Sequence, residues 1–134
     1  MTETSDEPIW ITPSTLHLLH HWQVERFGGI HGVRDPNVIE SALMRPQNLW
    51  HYEAPKDIAD LSAAYLVSLV RQQGFLDGNK RSALAAALTF LHVNGYDLYR
   101  PFDEVFAMTL ASAKNMVTEA QVVAWFREHM ISRE

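Results

Sequence analysis

FLDGNKRSALAAALTFLHV, residues 75–93, joins a glycine turn to the most uniformly apolar helical pattern in the chain. From Asn79 to Val93, apolar residues occur on nearly all sides of an α-helix, which is typical of a buried element. We therefore expect this helix to lie at the centre of the fold, and Asn94-Gly95 to end it.

Helical patterns also precede and follow this segment, and capping residues mark their starts. In chain order, the predicted helices run from Thr12-Pro13 to Gly28, from Asp35-Pro36 to Pro46, from Asp57 to Gly74, from Asn79 to Val93, from Pro101 to Ala113, and from Thr118 to Met130. Residues 47–56 are expected to form a linker and residues 96–99 a short extended piece. Because no strand pattern of useful length appears, the predicted fold class is all-α.

The length of 134 residues suits one domain, and the hydrophobic content of 47% is enough for a core. We assign residues 12–134 to this domain and residues 1–11, which are polar and acidic at the start, to a flexible N-terminal arm. No internal repeat or low-complexity segment interrupts the pattern.

Composition argues against several classes of function. The net charge of −5 disfavours general binding of nucleic acid, which needs a basic surface. The chain has no cysteine, its N-terminus does not resemble a signal peptide, and no apolar run approaches the ~20 residues that span a bilayer. We therefore expect a cytoplasmic protein that binds neither nucleic acid nor membrane.

Two cations occupy an unfavourable place, because Lys80 and Arg81 fall in the first turn of the central helix. A helix N-terminus is already partly positive, so an anion bound there would resolve the conflict. Gly78 would let the backbone approach a phosphate, and Asn79 would add an amide. Asp77 beside phosphates would in turn need a bridging cation, for which Mg²⁺ is suited.

A simpler interpretation needs no ligand. Asp77-Gly78 is also a common turn sequence, and Asp77 could serve only as the N-cap of the following helix. The spacing alone leaves both interpretations open.

The same segment resembles the core motif of the Fic/Doc superfamily, His-x-Phe-x-Asp/Glu-Ala/Gly-Asn-Lys/Gly-Arg. The ending Asn79-Lys80-Arg81 is similar to the death-on-curing (Doc) toxin branch. Other matches follow the family's order: Gly28-Gly29 to Arg34-Asp35, Glu40-Ser41-Ala42-Leu43 with Arg45-Pro46, Ala63-Ala64-Tyr65-Leu66, and Ala83-Leu84 to Phe90-Leu91 with Asn94-Gly95.

The resemblance implies about six helices and a site for the phosphates of ATP or another nucleotide with Mg²⁺. Asp77 corresponds to the metal-binding acid and Phe75 to the residue that anchors the loop. The phosphate-binding positions correspond to Gly78, Asn79, Lys80 and Arg81, with Arg71 as a weaker match. Members transfer phosphate or AMP to a protein hydroxyl. Doc toxins phosphorylate elongation factor Tu and are restrained by a partner antitoxin.

The chain departs from the motif at the catalytic position, where Gln73 stands instead of histidine. A glutamine amide is not a useful base, so we expect impaired catalysis. Alternatives are a pseudoenzyme that binds nucleotide or a partner in a regulatory role, and a domain that binds only a partner. Among seven histidines, His31 and His51 are the candidate replacement bases.

Histidine spacing gives little support for zinc. His17 and His21 have helical spacing, but the sequence shows no third ligand beside them. No zinc site is therefore expected.

Overall fold

The computed structural model describes residues 7–54 and 56–133. The elements are α1 (Pro13–Phe27), α2 (Pro36–Tyr52), α3 (Ile58–Gln72), α4 (Asn79–Val93), β1 (Tyr96–Leu98), α5 (Phe102–Ala113), α6 (Glu119–His129) and β2 (Met130–Ser132). The predicted all-α class is confirmed, since the two strands have only three residues each. None of the helices in this part of the chain has the length and hydropathy needed to cross a bilayer.

Helix starts lie where the capping residues predicted them. The Thr12 side chain accepts a hydrogen bond from the Thr15 N–H, and Asp35 caps α2 in the same way. Asp57 and Thr118 each form a reciprocal capping box. These contacts join neighbouring residues, so the local sequence determines them.

The predicted end of α2 at Pro46 is wrong, because the helix continues to Tyr52. Pro46 lacks the N–H of a normal helical residue, which usually destabilises a helix interior. Here Arg45 Nη1 donates to Ser68 Oγ (2.9 Å) and to Glu119 Oε1 (2.8 Å), which ties this turn to two other helices. Residues 47–52 therefore belong to α2 and not to a linker.

The most buried helix is α3 and not α4, contrary to the prediction. Eleven of the fifteen residues of α3 are buried, against seven of fifteen in α4. Ser62 and Ser68 are buried in α3 although their hydroxyls are polar. Small side chains let neighbouring helices approach closely, so α3 packs against α2, α4, α5 and α6. A hydropathy pattern counts these serines as polar and so underestimates burial.

A two-stranded antiparallel sheet joins the end of α4 to the end of the chain. Leu98 pairs with Met130 and Tyr96 with Ser132. The extended piece at residues 96–99 was predicted, but its partner strand was not, since three residues show no periodicity. Met130 therefore starts β2 instead of completing the last helix.

The N-terminal segment is attached to the core over residues 9–11, which differs from the flexible arm expected over residues 1–11. Trp10 stacks on Phe90 with ring centroids 5.8 Å apart. The Ile11 N–H donates to the hydroxyl of buried Tyr65 (3.1 Å). Residues 1–6 lie outside the described residues, so the prediction stays open there.

We predict that Tyr65→Phe lowers the free energy of unfolding by about 1–3 kcal/mol, because the buried Ile11 N–H loses its acceptor. Burial also raises the pKa of Tyr65 to about 12, so the phenol stays neutral in the folded protein. Urea unfolding measures the change. Tyr52→Phe is the matched control, since Tyr52 is 81% exposed. Equal effects of the two substitutions would contradict this role of the Tyr65 hydroxyl.

Candidate functional site

A cavity of about 320 Å³ lies at the N-terminus of α4. Its walls also include residues of α1, α3 and α5. The structure brings together at this cavity six of the predicted site residues: Gln73, Asp77, Gly78, Asn79, Lys80 and Arg81.

The start of α4 differs from the starts of four other helices. A side chain accepts a hydrogen bond from the first turn of α1, α2, α3 and α6, but none does so for α4 within the described residues. Gly78 precedes the helix in the left-handed conformation (φ 74°). The first intrahelical bond runs from the Ser82 N–H to the Gly78 carbonyl (3.0 Å). The preceding helical N–H groups therefore remain as donors for an anion.

Asn79 holds the loop in shape with its side-chain amide. Its Oδ1 accepts from the Phe75 N–H, and its Nδ2 donates to the Phe75 carbonyl, both at 3.0 Å. Sequence reasoning assigned this amide to an anion, but both ends are engaged with Phe75. Asn79 therefore offers its backbone N–H to a ligand, while its side chain fixes the loop.

The two basic residues of the first turn have different surroundings. The Arg81 guanidinium lies over the Phe27 ring (4.1 Å to the centroid) and also faces Phe106 (5.4 Å). Such contacts contribute about 0.5–1 kcal/mol and leave the in-plane N–H donors of an arginine free for an anion. Lys80 is exposed at the cavity wall, where its ammonium can move to meet a ligand.

The Asp77 carboxylate is held in place by backbone donors. Its Oδ2 accepts from the Ile30 N–H (3.2 Å), and its Oδ1 accepts from the Gly78 N–H (2.9 Å). Gly29 is required beside it, because a Cβ there would lie 2.9 Å from Asp77 Oδ2. The side chain is exposed and keeps free lone pairs, so it fits one carboxylate ligand of a Mg²⁺ ion.

The loop that carries Asp77 is bound to the glycine-rich segment of residues 28–35. The Arg34 and Asp35 N–H groups both donate to the Gly74 carbonyl, at 2.8 and 3.1 Å. The Leu76 N–H donates to the Gly32 carbonyl (3.0 Å). The two segments therefore form one unit that positions the site.

His20 is a site residue that sequence reasoning did not single out. Its side chain is buried, stacks on the Phe75 ring at 3.7 Å, and places Nε2 2.8 Å from the Asp77 carbonyl oxygen. A carbonyl only accepts, so Nε2 carries the proton. Burial lowers the pKa of His20 below its usual 6.5. His20 thus supports both ends of the Asp77 loop.

A sequence signal for His20 existed. The buried face of α1 consists of Leu16, His20 and Val24, which are spaced four residues apart. Trp22 lies off this face and is 56% exposed, although it is large and aromatic. Apolar character alone therefore does not identify the buried face of α1.

Gln73 ends α3 in the left-handed conformation (φ 52°, ψ 54°), and its exposed side chain borders the cavity. Its carbonyl accepts from Arg34 Nε (2.7 Å). No histidine is among the described residues that line the cavity. His31 instead lies beside Glu25, and His51 contacts Glu7, so neither is placed there as a replacement base.

Arg71 does not reach the cavity. Its Nε donates to the Ser112 carbonyl (3.0 Å) and its Nη2 to the Val117 carbonyl (2.7 Å). These bonds tie α3 to the end of α5 and the following loop. The weak phosphate-binding assignment of Arg71 is therefore replaced by a structural role.

The chain is similar both to a family profile and to individual proteins. A profile of the Fic/DOC family matches residues 10–91. Protein kinase doc of Escherichia phage P1 is 35% identical over 117 residues, which cover 87% of this chain and 92% of that protein. Toxin Doc of Mycolicibacterium smegmatis is 46% identical over 78 residues, covering 58% of this chain and 60% of that protein.

We predict that His20 makes stability depend on pH. As the pH falls from 6.5 toward the lower folded-state pKa, the unfolded chain takes up the proton first, so the free energy of unfolding decreases. Above this window the contribution is fully present. His20→Gln keeps an amide donor for the Asp77 carbonyl but does not titrate, so its curve should be flatter. Urea unfolding between about pH 5 and pH 8 tests this. Parallel curves for the two proteins would contradict the prediction.

Proposed function

Because the chain belongs to the Fic/DOC family, as its motif predicted, we propose that it is a Doc-like protein of the toxin–antitoxin type. In this proposal, the cavity at the N-terminus of α4 binds ATP or another nucleotide with Mg²⁺. The group transferred to a protein hydroxyl is phosphate or AMP. The transfer is slow because Gln73 stands at the position of the family histidine.

One observation carries the proposal: three kinds of phosphate ligand and one carboxylate that can hold a metal converge on a single cavity. The uncapped start of α4 supplies N–H donors, Lys80 a mobile charge, and Arg81 a fixed planar donor. Asp77 would hold Mg²⁺, which neutralises phosphate charge when bound. Without an anion, Lys80 and Arg81 stand unfavourably at the positive end of a helix.

Impaired rather than abolished catalysis follows from the chemistry of phosphoryl transfer. A general base that accepts the proton of the target hydroxyl accelerates transfer by roughly 10²–10⁴-fold. Gln73 can orient a hydroxyl but does not accept its proton. Positioning and charge neutralisation do much of the remaining work in this reaction, so a residual rate is expected.

A second candidate function is a pseudoenzyme, and the absence of a histidine among the described cavity residues favours it. It would bind nucleotide, or a partner protein, in a regulatory role. In either case we propose a cytoplasmic protein restrained by a cognate antitoxin, with elongation factor Tu as the candidate target. The relative named as a toxin supports an antitoxin partner by analogy, whereas the choice of elongation factor Tu rests on the family resemblance alone.

We predict that calorimetry detects binding of ATP in the presence of Mg²⁺. Asp77→Ala and Lys80→Ala should each weaken binding about tenfold or more, because loss of a charged contact costs roughly 1.5–3 kcal/mol. Lys114→Ala is the matched control, since Lys114 is exposed at the end of α5 and does not line the cavity. No detectable heat with the wild-type protein would refute nucleotide binding and leave only a partner-binding domain.

We predict that Gln73→His restores catalysis. Histidine tolerates the left-handed backbone of residue 73 better than most residues, so the substitution should not strain the loop. Transfer of labelled nucleotide to lysate protein should rise by roughly 10²–10⁴-fold, and expression should arrest growth. The double variant Gln73→His/Asp77→Ala should neither transfer the label nor arrest growth.

The wild-type protein separates the two candidate functions in the same assay. Slow transfer that disappears in Asp77→Ala supports the impaired enzyme, whereas binding without transfer supports the pseudoenzyme. Failure of Gln73→His to transfer, despite normal nucleotide affinity, would contradict the assignment of residue 73 as the base position.

A further inference from the structure

Three side chains of types that commonly bind transition metals lie close together outside the cavity. His21 and Glu25 lie one turn apart on α1, and His31 lies in the glycine-rich segment that follows. One donor atom from each residue lies within 4.8 Å of the donors of the other two. None of the three residues lines the cavity at α4. The sequence analysis paired His21 with His17, whereas the structure groups it with Glu25 and His31.

The donor atoms lie at separations near those of a metal site. His31 Nε2 lies 2.6 Å from Glu25 Oε2, and the His21 and His31 rings are 5.0 Å apart. Metal–ligand bonds of roughly 2.0–2.1 Å require donors about 3.3 Å apart. All three side chains are exposed, so small rotamer changes bring them to this separation.

The backbone that carries His31 is fixed independently of any metal. Gly29 and Gly32 have φ angles of 120° and 130°, which return the chain toward α1. The Ile30 N–H donates to Asp77 Oδ2, and the Gly32 carbonyl accepts from the Leu76 N–H. Because the loop is already ordered, metal binding would cost little backbone entropy.

We propose that His21, Glu25 and His31 form a site for Zn²⁺ or a similar divalent transition metal, with a water molecule as the fourth ligand. Two imidazoles and one carboxylate suit zinc, whereas Mg²⁺ prefers oxygen ligands. The ion would tie α1 to the loop whose Ile30 N–H holds Asp77.

Calorimetry with ZnCl₂ tests the proposal on untagged protein freed of metal with EDTA. We expect one Zn²⁺ per chain and no competition from excess Mg²⁺. His31→Gln should weaken binding by at least the roughly 10–100-fold that loss of an outer-shell partner costs. Co²⁺ in place of Zn²⁺ should give the strong visible absorption of a tetrahedral site, and the variant should lose it.

His92→Gln is the matched control. His92 is an exposed histidine 3.2 Å from a carboxylate oxygen of Asp97, and no third ligand joins this pair within the described residues. The variant should bind Zn²⁺ like the wild type. If metal-free His31→Gln does not fold, Glu25→Gln on the surface of α1 replaces it. Absence of wild-type binding, or equal binding by wild type and ligand variants, would overturn the proposal.

Discussion

The pairing of the glycine-rich segment 28–35 with the loop after α3 is the constraint on which the candidate site depends. The Gly74 carbonyl accepts hydrogen bonds from two N–H groups of that segment, and Val33 forms an isolated antiparallel β-bridge with Phe75. Residue 74 also packs closely on α2, where a Cβ would overlap Ile39 Cγ1. Glycine at this position therefore belongs to the packing of this chain.

Contacts around the start of α4 explain how a stable fold tolerates an unfavourable charge arrangement. Cations at a helix N-terminus cost about 0.3–1 kcal/mol each at an exposed site. Arg81 recovers part of this cost by stacking between Phe27 and Phe106, and Asn79 satisfies both backbone groups of Phe75. The contacts of Asn79 with Phe75 hold the loop before α4 without using the first N–H groups of that helix. These N–H groups therefore remain for a ligand.

Local chemistry made much of the fold predictable, while long-range contacts limited the rest. Caps such as Thr12 and Asp57 act within four residues, so the sequence alone located these helix starts. The end of α2 was predicted wrongly at Pro46, and the neighbouring Arg45 contacts Ser68 and Glu119, which are distant in sequence. Arg71 was likewise misassigned, since its acceptors lie about 40 residues away. The motif predicted most residues that line the cavity, whereas the contacts of His20 with the Asp77 loop depend on how α1 packs.

The fold uses the backbone of Gln73 and leaves its side chain uncommitted. The backbone of residue 73 is structural, because it ends α3 and its carbonyl accepts from Arg34. Its side chain is exposed and makes no hydrogen bond within the described residues, so the fold places little demand on its identity. In the proposed function, phosphate binding would rely on residues 77–81, which also line the cavity and follow in the chain. Nucleotide binding and proton transfer would then depend on different residues, so one could change without the other.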